Sequence, residues 1–251
     1  MGWLSRGWEQ YRKGQLPDAP PRSPDMSGII HVNNTFYAVG GSLNSSEIAS
    51  SPDGVTWSGA FPSSYWLRAI AYGNGAFVTV GYGNSAIIST DGVNWVAGPA
   101  HSLDARVEAI AYGNNTFVAV GGVGLYSSPD GRFWAPHAAS TRADLRSIAF
   151  GGRYFVAVGN QGTILTSTDG TTWSSATSGT ANSLTKVIYA NGTFIAVGAS
   201  RTILRSGSTT DQGGGKYSIK ANFSESGNWM VTVKVTKDSL DYKEDIELKV
   251  Q

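Results

Sequence analysis

Cysteine and long apolar runs are both absent from this chain of 251 residues. Without cysteine, the protein has neither disulfide bonds nor thiolate metal sites. No stretch reaches the ~18 consecutive apolar residues of a transmembrane helix, so we expect no membrane span. The N-terminus also lacks the apolar segment of a signal peptide. If the protein acts outside cells, a leader precedes this sequence or the protein leaves by another route, such as release with a phage particle.

An excess of charge of either sign is also missing. The chain has 19 basic and 18 acidic side chains, which gives no electrostatic reason to expect nucleic acid as a partner. Its three histidines occupy unrelated positions and do not have the spacing of a zinc site. A phosphate-binding loop and a Gly-x-Ser-x-Gly nucleophile turn are missing too. We therefore expect no metal, no cofactor and no catalytic residue.

Glycine, by contrast, is abundant, with 32 residues, and much of it belongs to repeats. A heptad of the form Ser-x-Asp-Gly-x-x-Trp occurs four times, roughly every 39 residues. A second motif, an aromatic-to-glycine run such as Phe-Val-Ala-Val-Gly, occurs five times in step with it. Turn-forming glycine and asparagine separate short apolar segments in each unit. The aspartates and tryptophans of the heptads are Asp53 and Trp57, Asp91 and Trp95, Asp130 and Trp134, and Asp169 and Trp173.

Four short strands in every repeat predict the blades of a propeller. The predicted fold class is all-β: a small β-propeller of about five four-stranded blades over residues 26–210, followed by a short C-terminal immunoglobulin-like β-module. A solenoid of the same units is the alternative. His31 stands where the first strands of the other repeats have a tyrosine or phenylalanine, and we expect it in the core.

The heptad resembles the Asp box, or BNR repeat, of sialidase-like propellers, and the four copies match it in register. In that family the Asp box is a structural turn. An aspartate in such a turn can accept hydrogen bonds from the backbone of its own turn, and the tryptophan can wedge between neighbouring blades. We therefore assign the eight heptad aspartates and tryptophans to folding. The longer run, with Phe-Val-Ala-Val-Gly ahead of the heptad, is similar to repeats of bacteriophage tail, fibre and decoration proteins and of bacterial surface proteins.

The two ends of the chain differ from the repeats. Residues 1–25 form an N-terminal arm with a proline-rich linker, since proline excludes helix and central strand. The fifth repeat has no heptad, so the ring must close differently, and residues 7–11 could supply its missing outer strand. Residues 216–251 form the C-terminal β-module, with six lysines against one in the repeats. Three strands seldom stand alone, so this module packs on the propeller or pairs with another subunit in a homo-oligomer.

A ligand site is predicted from the aligned repeats, because the first strand of each propeller blade lines the central channel. One position near the start of this strand varies in polarity while its neighbours are nearly uniform. It is occupied by Ser27, Arg68, Glu108, Arg146 and Thr185. Tyr65 and Trp66 lead into the same end of the second repeat, where a tryptophan could stack on a sugar ring. The candidate ligand-binding residues are Trp66, Tyr65, Arg68, Glu108 and Arg146.

Simpler interpretations of these residues stay open. The variable position could be a solvated channel rim whose opposite charges balance, and Trp66 could pack between blades. Arg106 falls in an inter-strand loop and is a weaker ligand-binding candidate, which we expect to be solvated.

These features favour a non-enzymatic structural or binding protein of a virion or cell surface. In this interpretation the arm and the C-terminal module dock on other structural proteins of the particle or surface, and the propeller presents a face to a host glycan or receptor. The expected location is the surface of a phage virion, or the extracellular or cell surface.

Two other functions are weighed against this one. The first is an assembly factor that binds a protein partner, resembling the photosystem II assembly propellers, with Arg68 and Arg146 as a sparse arginine patch. The second is a sialidase-like glycoside hydrolase. Glycoside hydrolysis needs two suitably placed carboxylates, and resemblance to sialidases implies an arginine triad with a Tyr–Glu pair. At the variable position, only Glu108 is acidic.

Overall fold

The computed structural model describes residues 25–42, 45–59, 66–83, 86–99, 103, 106–122, 124–138 and 143–206, and three further strands between residues 216 and 246. The predicted arm up to residue 24, and Tyr65, lie outside these residues. Within the described part, strands dominate and one short 3₁₀ turn spans Asn160–Gly162. No helix in that part is both long enough and apolar enough to cross a membrane.

Five antiparallel sheets follow one another along the chain, and we call them blades 1 to 5. Blade 1 consists of Met26–Val32 (β1), Thr35–Ser42 (β2), Ser45–Ser51 (β3) and Ser58–Gly59 (β4). Blade 2 consists of Trp66–Gly73 (β5), Ala76–Tyr82 (β6), Ile87–Ser89 (β7) and Val96–Ala97 (β8). Blade 3 consists of Ala109–Gly113 (β9), Thr116–Gly121 (β10), Gly124–Ser128 (β11) and Ala135–His137 (β12).

The remaining strands form one more complete blade and two three-stranded sheets. Blade 4 consists of Leu145–Gly151 (β13), Tyr154–Gly159 (β14), Ile164–Ser167 (β15) and Ser174–Ala176 (β16). Blade 5 has only Leu184–Ala190 (β17), Thr193–Gly198 (β18) and Ile203–Arg205 (β19). The C-terminal sheet has Lys216–Phe223 (β20), Trp229–Lys237 (β21) and Leu240–Ile246 (β22). The predicted all-β propeller of about five blades is confirmed, and the blade without a heptad is the one described with three strands.

The heptads form the turns between the third and fourth strands of blades 1 to 4. In blade 2, Asp91 accepts hydrogen bonds from the backbone N–H groups of Val93 (2.9 Å) and Asn94 (2.7 Å). The N–H of Gly92, at φ +74°, donates to Ser89 Oγ (2.8 Å), and the Trp95 indole donates to the Gly92 carbonyl (3.3 Å). The other three heptads repeat this network. Each heptad carboxylate is therefore engaged by its own turn.

The hydrophobic core lies between the blades. On β10, Phe117 and Ala119 pack against blade 2, whereas Val118 and Val120 pack against blade 4. We call the side of a blade that packs on the next blade its forward face, and the opposite side its rear face. Four apolar clusters join blades 1 to 5 in sequence, and among the described residues none joins blade 5 to blade 1.

This arrangement corrects the expectation for His31. Its counterparts Tyr72, Tyr112 and Phe150 lie on rear faces that a preceding blade covers, and they pack against the clusters there. His31 lies on the rear face of blade 1 and is exposed, although its ring contacts Phe36 at 4.5 Å between centroids. The expectation of a core position was wrong because the described part of the chain places no blade before blade 1.

Candidate functional site

An extra residue near the start of the first strand of each blade sets the direction of the side chains at the site. In blade 2, Leu67 pairs with Gly81 and Ala69 pairs with Val80, so Arg68 between them has no partner across the ladder. Such a β-bulge re-aims the side chain of the extra residue. The same irregularity isolates Ser27, Arg146 and Thr185 in blades 1, 4 and 5. In blade 3 the equivalent residue is Glu108, whose N–H donates to the Val120 carbonyl (2.8 Å) just ahead of β9.

The glycine that ends the second strand makes room for this bulge. A Cβ at Gly81 would overlap the carbonyl oxygen of Trp66, and a Cβ at Gly121 would overlap that of Arg106. The corresponding glycines of blades 1, 4 and 5 face the same obstruction: Gly40, Gly159 and Gly198. The final glycine of the Phe-Val-Ala-Val-Gly motif therefore has a steric purpose, because it allows the bulge on which the variable residues stand.

Arg68 connects the bulge residues of blades 1 to 3, because it contacts both Ser27 and Glu108. Arg68 approaches Glu108 Oε2 with Nε and Nη2, both at 3.3 Å, and donates from Nη1 to Ser27 Oγ at 3.5 Å. Arg106 Nη2 donates to Glu108 Oε1 at 3.4 Å, and the Tyr82 hydroxyl donates to the same oxygen at 2.5 Å. The Glu108 side chain is only 10% exposed, so it is the buried centre of the cluster.

Two aromatic rings line the same cluster. The Arg68 guanidinium lies 5.8 Å from the centroid of Trp66 and 5.7 Å from that of Tyr82, within cation–π range. The Arg106 guanidinium also lies 5.7 Å from the centroid of the Tyr82 ring. Trp66 and Tyr82 face each other across β5 and β6 and meet edge to face at 5.1 Å. The Trp66 indole N–H is buried and has no hydrogen-bond partner among the residues that the structure describes.

The charges of this cluster do not balance. Two guanidinium groups meet one carboxylate, which leaves one positive charge, and the Arg106 side chain is 56% exposed. Burial raises the pKa of Tyr82, and its hydrogen bond to Glu108 raises it further. Tyr82 therefore stays protonated at neutral pH and acts as a donor to Glu108. Arginine side chains held in this way present a directional site for a carboxylate or another planar anion.

The structure thus brings together three of the predicted ligand-binding residues: Trp66, Arg68 and Glu108. Arg146 is separate, with its Nε donating to Asn160 Oδ1 at 3.0 Å in blade 4. Within the described ranges, no three His, Asp or Glu side chains are grouped as a metal site would require. Sequence reasoning made Arg106 only a weaker candidate, expected to be solvated, and it missed Tyr82. The only sequence signal for Arg106 was its place two residues before Glu108 in the repeat alignment.

Comparison with known proteins identifies the fold. No protein-family model matches the chain, and no curated protein sequence matches it. The structure of YCF48 bound to D1 peptide is similar, with a TM-score of 0.59 and 17% identity over 87% of this chain and 80% of that one. YCF48 from Cyanidioschyzon merolae gives a TM-score of 0.58 and 15% identity over 86% and 81%. Virginiamycin B lyase from Staphylococcus aureus gives 0.60 and 11% over 91% and 87%.

These likenesses correct one expectation. The sequence-based conclusion that the protein is not an enzyme is wrong, since a lyase has a similar propeller fold and the fold is therefore compatible with catalysis. At these identities the comparisons show the fold alone, and function has to be argued from the site.

Proposed function

We propose that the protein binds a partner protein by capturing a carboxylate of that partner at the Trp66–Arg68–Tyr82–Arg106–Glu108 cluster. The observation that supports this proposal is the surplus of one guanidinium over the single buried carboxylate. A guanidinium has five N–H donors. Arg68 directs its donors to Glu108 and Ser27. Arg106 gives Nη2 to Glu108 and also interacts with Tyr82, but its side chain is largely exposed, so it can still offer a donor to a ligand.

A peptide carboxylate suits this geometry better than a stacked sugar. Sugar stacking needs a free aromatic face. The Trp66 ring already has the Arg68 guanidinium over it and the Tyr82 ring at its edge. The structure of YCF48 bound to D1 peptide gives support from a protein of similar fold. The proposal corresponds to the assembly-factor alternative of the sequence analysis, with Arg106 instead of Arg146 beside Arg68.

Binding of two labelled peptides tests the proposal. The probes are a fluorescein-labelled peptide of glutamate residues spaced by glycine and the same peptide with glutamine in place of glutamate. We expect the glutamate peptide to bind more tightly. Arg106→Gln should weaken its binding by roughly tenfold, the loss of about one charge-assisted hydrogen bond. Arg146→Gln is the control, because Arg146 is an exposed arginine of blade 4 that lies outside the cluster. Equal binding of the two peptides would contradict the proposal.

One observation favours a second candidate, hydrolysis of an acidic glycoside. Tyr82 and Glu108 form a Tyr–Glu pair beside two arginines, which is part of the set implied by the resemblance to Asp-box sialidases. The raised pKa of Tyr82 opposes the role of nucleophile. Both oxygens of Glu108 already accept hydrogen bonds from the arginines or Tyr82. Release of a fluorophore from a sialoside by the wild type, abolished in Tyr82→Phe, would favour this candidate over the first.

We also propose that the protein acts at the surface of a phage virion or of a cell. The similarity of its repeats to those of phage and bacterial surface proteins supports this location. Fractionation of the source culture, with detection of the protein by mass spectrometry, tests it. Recovery only among soluble intracellular proteins would argue against it.

A further inference from the structure

The two ends of the blade series carry apolar side chains that the other blades bury. The valine near the end of the second strand is fully buried in blades 1 to 4: Val39, Val80, Val120 and Val158. Its counterpart in blade 5, Val197, is 38% exposed. The first strand of each of blades 1 to 4 has an isoleucine on its rear face. It is at most 8% exposed at Ile70, Ile110 and Ile148, whereas Ile29 in blade 1 is 62% exposed.

The forward face of blade 5 has a larger apolar side chain than the same position of blades 2 to 4. Ile188 is 52% exposed, yet blades 2 to 4 have alanine at the same register position: Ala71, Ala111 and Ala149. Ile203, paired with Val197, is also exposed. A bulky apolar side chain at such an exposed position indicates a surface that another element covers.

The rear face of blade 1 is its counterpart. Trp95 and Trp134 lie in the clusters on the rear sides of blades 2 and 3, where the preceding blade covers them. Trp57 holds the same position in blade 1, and among the described residues no apolar cluster includes it. Trp57 and Ile29 therefore form one half of the interface that joins blades elsewhere in the molecule, and Ile188 and Val197 form the other half.

The charges of the two faces are opposite. Lys186 pairs with Val197 and Arg205 pairs with Ile195, which places both basic side chains on the forward face of blade 5. Glu47 neighbours Ile48, a forward-face residue, and therefore lies on the rear face of blade 1. The two ion pairs of the described residues both involve Glu108, so none of these three side chains is in an ion pair there.

We infer that the chain associates head to tail with a second copy of itself, the forward face of blade 5 packing on the rear face of blade 1 of the other copy. The contact continues the blade-to-blade interface that the molecule already uses four times, and Lys186 and Arg205 approach Glu47 within it. Because the two patches differ, the interface is heterologous, and repetition closes a ring or extends a filament.

Solution mass of the full chain, measured by light scattering after size exclusion, tests this inference. We expect the wild type to be larger than one chain. Ile29→Arg, on the rear face, and Ile188→Arg, on the forward face, should each give a monomer with an unchanged circular dichroism spectrum, since both side chains are exposed in the single chain. Val93→Arg is the matched control, because Val93 is an exposed valine at a heptad turn, and it should keep the wild-type mass.

Mixing the two monomeric variants makes the test specific. An Ile29→Arg chain keeps an intact forward face and an Ile188→Arg chain keeps an intact rear face, so the mixture should form a dimer and go no further. A mixture that stays monomeric would overturn the head-to-tail arrangement. A monomeric wild type would overturn the inference altogether, and loss of thermal stability in its two variants would then show that the chain covers these faces itself.

Discussion

At the scale of single residues, hydrogen bonding from the backbone controls the acidity of the heptad aspartates. Bonds from the Thr56 and Val55 N–H groups lower the pKa of Asp53 from 3.8 to about 2. Similar bonds lower the pKa values of Asp91 and Asp169. In Asp130 partial burial raises the pKa, but the bonds from Arg132 and Phe133 outweigh it and the pKa is lowered. The turns therefore hold these carboxylates in their ionised form.

This acidity predicts how stability depends on pH. A carboxylate whose pKa is lower in the folded state stabilises that state above its unfolded pKa of 3.8, and the contribution is lost as pH falls toward about 2. We expect the melting temperature to fall over this range. Asp53→Asn should show a smaller fall than the wild type, because one of the titrating groups is gone. Thermal melts at half-unit pH steps measure the difference, and identical slopes would contradict the role given to the turn.

The bulge glycines give a second prediction at this scale. In Gly121→Ala the new Cβ would overlap the Arg106 carbonyl oxygen. Because this oxygen belongs to the backbone, it can move away only if the bulge is distorted. We expect a loss of at least about 2 kcal/mol in the free energy of unfolding, in the range of overpacked sites. Urea unfolding measures it. Gly98→Ala is the control, because the nearest atom to its Cβ, the Ala86 carbonyl oxygen, lies at 3.3 Å. Equal losses in the two variants would contradict the steric account.

At the scale of elements, the four heptad tryptophans differ although their sequence motif is the same. Trp95 is buried in the cluster between blades 1 and 2. Trp57 is half-buried on the rear face of blade 1. Trp95→Ala should cost about 3–5 kcal/mol in unfolding free energy. Trp57→Ala should cost clearly less in a monomeric background such as Ile188→Arg. Urea denaturation of each tryptophan variant and of its parent chain measures the two losses in unfolding free energy. Equal losses would show that Trp57 is packed as deeply as Trp95.

Local motifs explain how far the sequence could predict the elements. The heptads and the glycines that end the second strands can be recognised from turn-forming residues and their spacing. These motifs are enough to predict blades 1 to 4. The meeting of Arg106 and Tyr82 at Glu108 depends on how blade 2 packs on blade 3, because Tyr82 lies on the second strand and Arg106 in a connection. No local pattern encodes that packing. His31 was misplaced for the same reason, since its burial depends on a neighbouring blade.

At the scale of the whole molecule, a series of blades in which each contacts only its neighbours should unfold unevenly. Stability in such arrays is a sum of unit and nearest-neighbour terms. Apolar clusters lie on both sides of blades 2, 3 and 4, whereas blades 1 and 5 share only one such cluster each within the described residues, although β19 of blade 5 also contacts β20 of the C-terminal sheet. In a monomer the amide groups of β1 and β17 should therefore exchange with solvent faster than those of β9.

Hydrogen exchange at two states of assembly tests this gradient and relates it to self-association. In the Ile29→Arg monomer, β1 and β17 should lose protection well before β9 does. In the assembled wild type, the proposed contact supplies the missing neighbour to both ends, so β1 and β17 should gain protection while β9 changes little. Exchange read by mass spectrometry on peptides from the three strands distinguishes the cases. Protection that is uniform along the monomer would show that the ends already have a partner within one chain.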